Sequence, residues 1–206
     1  MGSRFTVGCL AVLLLAPCAG ATIIGLNQIV TPDIQPAGLL ALSAQAQPSL
    51  LGNSQQLQLE LGLTPRFEAA WFQGLKPGEG VFSLEANLVE HGSHLLTVSA
   101  INWSTRGGEP APVLEYGYYA GHDHWVAGAI RSNRRTEALL GYKHAFNDRL
   151  AFAADYQSGP GNSATIGVTL NFTPALSLNP ALYFTNTRPR RVLGYAVLTW
   201  SLPVWK

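Results

Sequence analysis

The chain has 206 residues, of which 47% are hydrophobic and only 12% are charged, whereas a soluble domain usually carries about 25% charged residues. Thirteen lysines and arginines against 12 acidic residues leave a net charge of +1, so the overall charge does not favour a nucleic-acid partner. No internal segment reaches the roughly 18 to 20 consecutive apolar residues of a membrane helix, so a chain that contacts lipid along its length would do so with β-strands.

The N-terminus has the three parts of a secretory signal peptide. Arg4 gives a short basic region, residues 5–16 form an apolar run, and the small residues 19–21 form a cleavage site. We therefore expect residues 1–21 to be removed on export and the mature chain to begin near Thr22.

Both cysteines, Cys9 and Cys18, lie within this signal, so the mature chain is predicted to contain no disulfide. One alternative is a retained anchor helix, for which the apolar run is short. Another is a lipoprotein processed at Cys18, for which the preceding proline is a poor fit.

Residues 22–37 contain two prolines and no clear period, and they are predicted to form an extended leader that tucks into or beneath the remainder of the protein. That remainder, residues 38–206, is a succession of segments of roughly ten residues with alternating apolar and polar positions, separated by turn residues. Twelve strands are predicted, with counts of about 10 or 14 left open because boundaries are uncertain. They are placed at 38–47, 55–63, 66–72, 81–89, 94–103, 112–120, 123–131, 136–145, 150–157, 163–172, 176–186 and 192–202.

The connections between these strands are predicted to alternate in length. Those after even-numbered strands are compact, whereas those after odd-numbered strands, such as residues 48–54 and 73–80, are longer or more polar. An even number of strands with short turns at one end and longer loops at the other is typical of bacterial outer-membrane barrels. A sandwich with Greek-key links predicts no such alternation.

The segment at residues 55–63, QQLQLELGL, has an apolar and a polar side, because leucine occupies every second position. In a soluble β-protein the leucines would face the core, whereas in a membrane barrel they would face lipid and the polar residues would face the lumen. The same pattern recurs at residues 81–89, 150–157 and 165–172. Together with the low charge, this recurrence favours the membrane barrel, and a soluble β-protein is the alternative.

Aromatic residues fall near the ends of the predicted strands, where the interface girdles of membrane barrels lie. With its aromatic-rich end, residues 195–206 (YAVLTWSLPVWK), the chain resembles the small bacterial outer-membrane porin-like barrels as a class. The resemblance implies an all-β fold, a closed antiparallel transmembrane β-barrel of about 12 strands. It also implies contact with outer-membrane lipid and insertion by the outer-membrane assembly machinery. The aromatic residues are Trp71, Trp103, Trp125, Tyr142, Tyr156, Phe172, Trp200 and Trp205.

The polar faces of the strands carry small groups, amides and carboxylates, and their charged residues are mainly acids, with Lys143 as the clearest base. An acid-lined lumen favours cations, as carboxylate rings do in channels. We therefore predict a narrow pore for small solutes. The alternative is a non-conducting barrel with a structural or surface-binding role, in which the acids pair with Arg66, Arg131 or loop arginines and the leader fills the lumen. The predicted lumen-lining residues are Gln56, Gln58, Glu60, Glu68, Glu85, Glu115, Glu137, Lys143 and Asp155.

Two arginine-rich stretches are predicted to lie in outer loops. Arginine pairs bidentately with phosphate, so these loops are candidates for binding lipopolysaccharide or attracting anionic solutes. Ordinary solvated loops are the simpler alternative. The residues are Arg131, Arg134, Arg135, Arg188, Arg190 and Arg191.

Residues 90–94 (EHGSH) bring together the residue types of a hydrolase, with His91 or His94 as the base for Ser93. Catalytic sites depend on converging geometry, and these residues fall in a predicted short turn, so a hydrolase is the weakest alternative.

No cofactor and no metal site is predicted. His122 and His124 flank Asp123, but this spacing lacks a third ligand elsewhere. The sequence contains neither a phosphate-binding glycine loop nor a set of zinc-binding cysteines.

Overall fold

The computed structural model describes residues 25–76, 78–107, 109–132 and 134–205, and the predicted signal peptide lies outside them. These residues form twelve strands. The strands are β1 (Leu39–Ala46), β2 (Gln55–Thr64), β3 (Phe67–Leu75), β4 (Gly78–His91), β5 (His94–Ser104), β6 (Ala111–Ala120), β7 (Asp123–Ser132), β8 (Arg135–Asn147), β9 (Leu150–Gln157), β10 (Ser163–Thr173), β11 (Leu176–Thr185) and β12 (Val192–Pro203).

Each strand pairs antiparallel with its neighbours in the sequence, and β1 also pairs with β12, so the sheet closes into a barrel. The predicted closed antiparallel barrel of twelve strands is therefore confirmed. In the described part of the chain, no helix is long and apolar enough to cross a membrane.

The predicted strand positions agree with the structure except near residues 73–80, where a loop was expected. There β3 continues to Leu75 and β4 begins at Gly78, and Gly74 pairs with Glu79. The glycines of this stretch suit close packing as well as turns. A Cβ at Gly80 would lie 2.2 Å from the Trp71 ring, so a larger residue would collide with the indole.

The connections alternate along most of the barrel. At the end where β1 begins and β12 ends, called here the turn rim, all five connections are two residues long. Gly92 and Gly121 in two of these turns have φ of 57° and 63°, a conformation that glycine adopts without strain. At the opposite end, the loop rim, the β1–β2, β5–β6, β9–β10 and β11–β12 connections are longer. The expected longer loops are absent at β3–β4 and β7–β8, where the paired strands continue almost to each other.

The outer face of the barrel is apolar. Leu57 and Leu59 on β2 are 50% and 43% exposed, whereas Glu60 is 6% exposed. Between the ends of the described strands, the outward positions carry no charged side chain. The leucines of β2 therefore face outward, and the soluble alternative with inward leucines is wrong.

Aromatic side chains lie on the outer face towards both rims. Trp71, Phe82 and Trp103 are neighbours in the register near the loop rim. Near the turn rim, Trp125 and Trp200 are among the most exposed large side chains. This is the distribution that the interfacial girdles of a membrane barrel require.

Residues 25–37, called here the inner segment, lie inside the barrel. Leu26 and Ile29 are buried against Val126 and Leu139 of the inward wall. These contacts form a small apolar core on the β6–β9 side, of the kind found inside soluble proteins. The interior of the barrel is therefore occupied by chain as well as by side chains.

Inward-facing glycines leave the space that the inner segment occupies. A Cβ at Gly141 would lie 2.3 Å from Cδ1 of Leu26, and one at Gly167 would lie 2.2 Å from Oδ1 of Asn27. A Cβ at Gly62 would lie 2.3 Å from the carbonyl oxygen of Gln35. Larger residues at these positions would collide with the segment, so the wall and the segment are complementary in shape.

Candidate functional site

Asp155 on β9 holds the first part of the inner segment. Its carboxylate accepts hydrogen bonds from the backbone N–H groups of Asn27 (2.6 Å) and Gln28 (3.0 Å) and from the Thr165 hydroxyl (2.7 Å). The Tyr183 hydroxyl donates to the Asn27 carbonyl oxygen. Hydrogen bonds to a carboxylate are stronger than those between neutral groups, so Asp155 anchors the segment through its backbone.

The second part of the inner segment is held by strands on the other side of the barrel. The backbone N–H of Gln35 donates to a carboxylate oxygen of Glu68 on β3 (2.7 Å). The Thr97 hydroxyl on β5 donates to the Pro32 carbonyl oxygen (2.9 Å). The segment therefore crosses the interior and is fixed at both sides.

Asp33 is an acid that the inner segment itself contributes. Its carboxylate accepts hydrogen bonds from the Tyr119 hydroxyl and from the Thr31 hydroxyl (2.8 Å), and it lies 3.5 Å from Nδ1 of His124. The His124 ring stacks on Tyr119 with centroids 4.0 Å apart. These residues and Lys143 line a cavity of about 340 Å³ near the turn rim. Sequence reasoning missed Asp33 because the leader has no period that would give its side chains a direction.

The structure places the predicted lumen-lining residues on the inward side of their strands, which alternates with the exposed leucine side. Gln56, Gln58, Glu137 and Lys143 are partly exposed. The other five, Glu60, Glu68, Glu85, Glu115 and Asp155, are buried. Their role in lining a pore stays a prediction.

Two of the partly exposed residues, Glu137 and Gln58, form side-chain hydrogen bonds that involve amide groups. The Glu137 carboxylate accepts hydrogen bonds from the side-chain amides of Gln157 (2.8 Å) and Asn162 (2.8 Å). The Gln58 amide donates to the Gln45 side chain on the neighbouring strand β1. Both groups lie towards the loop rim, near the start of β2 and of β8.

The arginine partners expected for the acids under the non-conducting alternative lie elsewhere. Arg66 is in the β2–β3 turn and Arg131 is near the end of β7, and both side chains are exposed. Within the described ranges, neither forms an ion pair with a buried carboxyl group. The carboxylates of Asp155 and Glu68 instead accept hydrogen bonds from the backbone of the inner segment.

The expectation that all six clustered arginines lie in loops is partly wrong. Arg131 belongs to β7 and Arg135 to β8, where the two strands pair through Arg131↔Thr136 and Ser132↔Arg135. Strand ends at a rim reach solvent, so charged residues there do not stop the pairing. Arg134, with φ of 64°, lies in the tight turn. The remaining three, Arg188, Arg190 and Arg191, are exposed in the β11–β12 connection as predicted.

The residues of the hydrolase alternative lie at the turn rim and are exposed. His91 and His94 face each other across the β4–β5 turn, which contains Ser93. Nδ1 of His94 is 2.6 Å from the Tyr116 hydroxyl, and the His94 ring packs against Tyr118. The structure therefore involves His94 in an aromatic cluster of the outer face.

The His122-Asp123-His124 stretch is divided between two faces. Asp123 accepts hydrogen bonds from the Tyr142 hydroxyl (2.6 Å) and lies 2.7 Å from Nδ1 of His144, both on the outer side of β8. His124 is buried inside against Asp33. Among the described residues, no group of three acidic, histidine or cysteine side chains is placed to hold a metal ion.

The barrel is similar to solved structures of porins. The KdgM porin aligns with a TM-score of 0.58 and 8% identity, over 80% of this chain and 99% of that chain. The KdgM porin in complex with disordered oligogalacturonate aligns with a TM-score of 0.57 and 8% identity, over 80% and 99% of the two chains. The NanC porin in a rhombohedral crystal form gives a TM-score of 0.52 and 7% identity, over 78% and 97%. This chain has the porin fold.

The likeness covers nearly the whole of each porin chain, so the correspondence is between complete barrels. No family model and no curated protein matches the sequence. The predicted resemblance to the small porin-like barrels as a class is therefore confirmed, as a shared fold.

Proposed function

We propose that this protein is a bacterial outer-membrane channel for small solutes, exported by a cleaved signal peptide. The observation that carries the proposal is a closed barrel whose outward positions are apolar and whose buried acids all lie on the inward side. A closed barrel leaves no strand edge unpaired, which is the condition for crossing lipid with strands. The porin fold of the chain supports the same conclusion.

The solute class follows from the charge inside the barrel. Five buried acids and Glu137 face inward, and Lys143 is the basic residue that lines the cavity beside Asp33. Such an interior favours cations over anions. The KdgM porin binds oligogalacturonate, a polyanion, and this acidic interior would repel a ligand of that charge.

The test is conductance of the refolded barrel in a planar bilayer under a gradient of potassium chloride. We expect small discrete steps and a reversal potential of the sign for a cation-preferring pore. Steps with anion preference would contradict the acid-lined lumen, and an absence of steps would contradict the channel.

A second candidate, a non-conducting barrel with a structural role, is favoured by the inner segment, which lies inside the barrel and is bound to strands on two sides. The two candidates differ in what happens when the segment is displaced. A channel closed by the segment opens, whereas a structural barrel only loses stability.

Two partner proposals accompany the channel. The outer-membrane assembly machinery would insert the chain, with the aromatic C-terminal strand β12 as its recognition element. The exposed arginines at the loop rim are positioned for lipopolysaccharide phosphates, since guanidinium groups bind phosphate bidentately. Replacing Arg188, Arg190 and Arg191 with glutamine should weaken binding of lipopolysaccharide to the refolded barrel, and unchanged binding would exclude these residues as its site.

A further inference from the structure

The outer face of the barrel contains a groove of about 580 Å³ on strands β6 to β10. The register places two rows of outward side chains across it, one through Ala127, Leu140 and Tyr156 and the next through Trp125, Tyr142 and Ala154. An alanine side chain ends at Cβ, whereas leucine and the aromatic rings project further from the sheet. The two alanines therefore form the floor of this groove, called here the outer groove, and the four larger residues form its walls.

One end of the outer groove meets a carboxylate near the turn rim. Tyr142 donates its hydroxyl to Oδ1 of Asp123, and Nδ1 of His144 lies 2.7 Å from the same oxygen. Both contacts use Oδ1, so Oδ2 keeps its capacity to accept hydrogen bonds from a ligand. The Asp123 side chain is 35% exposed on the outer face, so a ligand can reach it.

Asp123 lies at the depth of the lipid headgroups. Phe146 follows His144 on β8 towards the turn rim, is 58% exposed, and packs edge-on against the His144 ring with centroids 4.8 Å apart. Aromatic residues therefore flank Asp123 on both sides along the barrel, with Trp125 on the other side, and such residues mark the membrane interface. Short turns of outer-membrane barrels face the periplasm, so this interface belongs to the inner leaflet.

We propose that the outer groove and Asp123 bind one phospholipid of the inner leaflet with an ethanolamine headgroup. The primary ammonium of the headgroup donates hydrogen bonds to the Asp123 carboxylate, and one acyl chain lies in the outer groove. A headgroup without an ammonium would bring only its phosphate charge near the carboxylate, which is repulsive. The proposal rests on the outer-membrane location in the proposed function, but it does not require conduction.

The length of the outer groove suits an acyl chain of one leaflet. Ala127 follows Asp123 by four residues on β7, which is about 13 Å along the strand. One leaflet contributes about 15 Å, half of a hydrocarbon core of about 30 Å. A chain that starts beside Asp123 therefore passes Trp125 and Tyr142, whose rings are in contact at 4.3 Å between centroids, and reaches Ala127. A second barrel fits less well, because it would touch the projecting rings and leave the floor of the groove empty.

The first test is native mass spectrometry of the refolded barrel in detergent. Phosphatidylethanolamine and phosphatidylglycerol with identical acyl chains are added in equal amounts. We expect one phosphatidylethanolamine to stay bound per barrel, at about fivefold the occupancy of phosphatidylglycerol, from the ion pair with Asp123. Equal retention of the two lipids, or a preference for phosphatidylglycerol, would overturn the proposal.

The headgroup contact is tested with Asp123→Asn. The matched control is Asp148→Asn, because Asp148 is an exposed carboxylate in the β8–β9 turn at the same rim. Asparagine keeps an oxygen that can accept from Tyr142 and His144, so we expect the variant to fold. The preference for phosphatidylethanolamine should disappear in Asp123→Asn and persist in the control. A preference that survives in Asp123→Asn would contradict the ammonium contact.

The acyl contact is tested with Ala127→Leu, which raises the floor of the outer groove. Ala138→Leu is the control, because Ala138 faces outward on β8 and lies outside the groove. We expect Ala127→Leu to lower the retention of both lipids and Ala138→Leu to leave it unchanged. Unchanged retention in Ala127→Leu would refute the groove as the acyl site. A barrel dimer that Ala127→Leu dissociates would refute it too, since a second copy would then be the occupant.

Folding of each variant is checked by heat-modifiability on a gel. The proposed function and the lipid site fail in different measurements. A barrel that inserts into phosphatidylcholine vesicles and conducts, but does not retain phosphatidylethanolamine, contradicts the lipid site alone. A barrel that does not insert contradicts the membrane location on which both depend.

Discussion

Leu59 lies in the middle of β2 with its side chain on the outer face, between Leu42 and Trp71 in the register. An arginine there would face the hydrocarbon of the bilayer, so we expect Leu59→Arg to reduce the stability of the inserted barrel by about 2 to 4 kcal/mol. The measurement is the urea midpoint of the folded band on a heat-modifiability gel, after folding into lipid vesicles.

Gln58→Arg is the matched control, because Gln58 precedes Leu59 and faces the polar interior beside Gln45. We expect this variant to fold as the parent does. If Gln58→Arg were the more damaging of the two, the strand would be oriented the other way round.

Pro180 occupies the middle of β11, although a proline cannot donate a hydrogen bond to a neighbouring strand. Along a strand, the N–H positions of every second residue point towards the same neighbouring strand. The Asn186 N–H donates to the Asn162 carbonyl oxygen next to β10, so the N–H position of residue 180 also faces β10. The Asn179 side-chain amide donates to the Val168 carbonyl oxygen of β10 at 3.1 Å. A side chain therefore replaces the missing backbone donor.

This compensation can be tested with a double-mutant cycle. Asn179→Ala should cost about 1 to 3 kcal/mol, because a buried acceptor loses its donor. In a Pro180→Ala background the backbone N–H is restored, so the same substitution should cost less. Asn179 also contacts Thr169 at 3.3 Å, but that contact is lost in both backgrounds and cancels. Equal costs in the two backgrounds would show that the Val168 carbonyl oxygen does not depend on the Asn179 side-chain amide for its hydrogen bond.

At the scale of elements, the strands were predictable and the inner segment was not. Strand β9 begins and ends at the predicted residues, because its alternation reports directly which side faces out. The inner segment has no alternation, since Leu26, Asp33 and Gln35 meet different walls, the first two through their side chains and Gln35 through its backbone N–H. The sequence left two places open for the segment, inside or beneath the barrel. Some of its anchors join residues more than 100 positions apart in the sequence, such as Asn27 and Asp155, and no local pattern predicts such a contact.

The candidate site was predictable to the same extent. Alternation gave the inward direction of residues such as Glu60 and Glu115, because a strand has only two sides. It could not show which acids are buried together, since that depends on where the inner segment lies. Thr97 and Tyr119, which bind the segment, carry no sequence signal that distinguishes them from other inward residues.

The inner segment is an element whose displacement can be tested through the wall. Gly141→Val would place methyl groups where Cδ1 of Leu26 lies, and we expect it to dislodge the segment at a cost of about 1 to 3 kcal/mol. Under the proposed function, conductance should rise. The control is Gly194→Val, because a Cβ at Gly194 has no atom within 4 Å.

A second readout reports the segment itself. A chain that begins at Thr22 has no cysteine, so Ile29→Cys provides a single thiol at a position that is 4% exposed. Reaction with a water-soluble maleimide should be slow in the parent barrel and in the Gly194→Val background, and faster with Gly141→Val. Equal labelling rates in all three would contradict the docking of the segment through Gly141.

For the whole molecule, the decisive contact is the pairing of β1 with β12, because it converts a sheet with two edges into a closed barrel. Leu198 lies near the middle of β12, opposite Ala44 of β1, and its side chain is 44% exposed. The Val204 N–H donates to the Gly38 carbonyl oxygen at 2.7 Å. Leu198 is six residues before Val204 in the same register, and every second N–H of a strand points to the same side, so the Leu198 N–H also points towards β1.

Leu198→Pro removes this N–H from the closing pair without placing bulk in the interior. Position 180 tolerates proline because Asn179 supplies an amide, but the residue before Leu198 is Val197, which has no donor to offer. We therefore expect Leu198→Pro to lose the compact, heat-modifiable band on a gel, whereas Leu198→Ala, which keeps the N–H, retains it. Retention of that band by the proline variant would mean that the barrel closes without this part of the β1–β12 ladder.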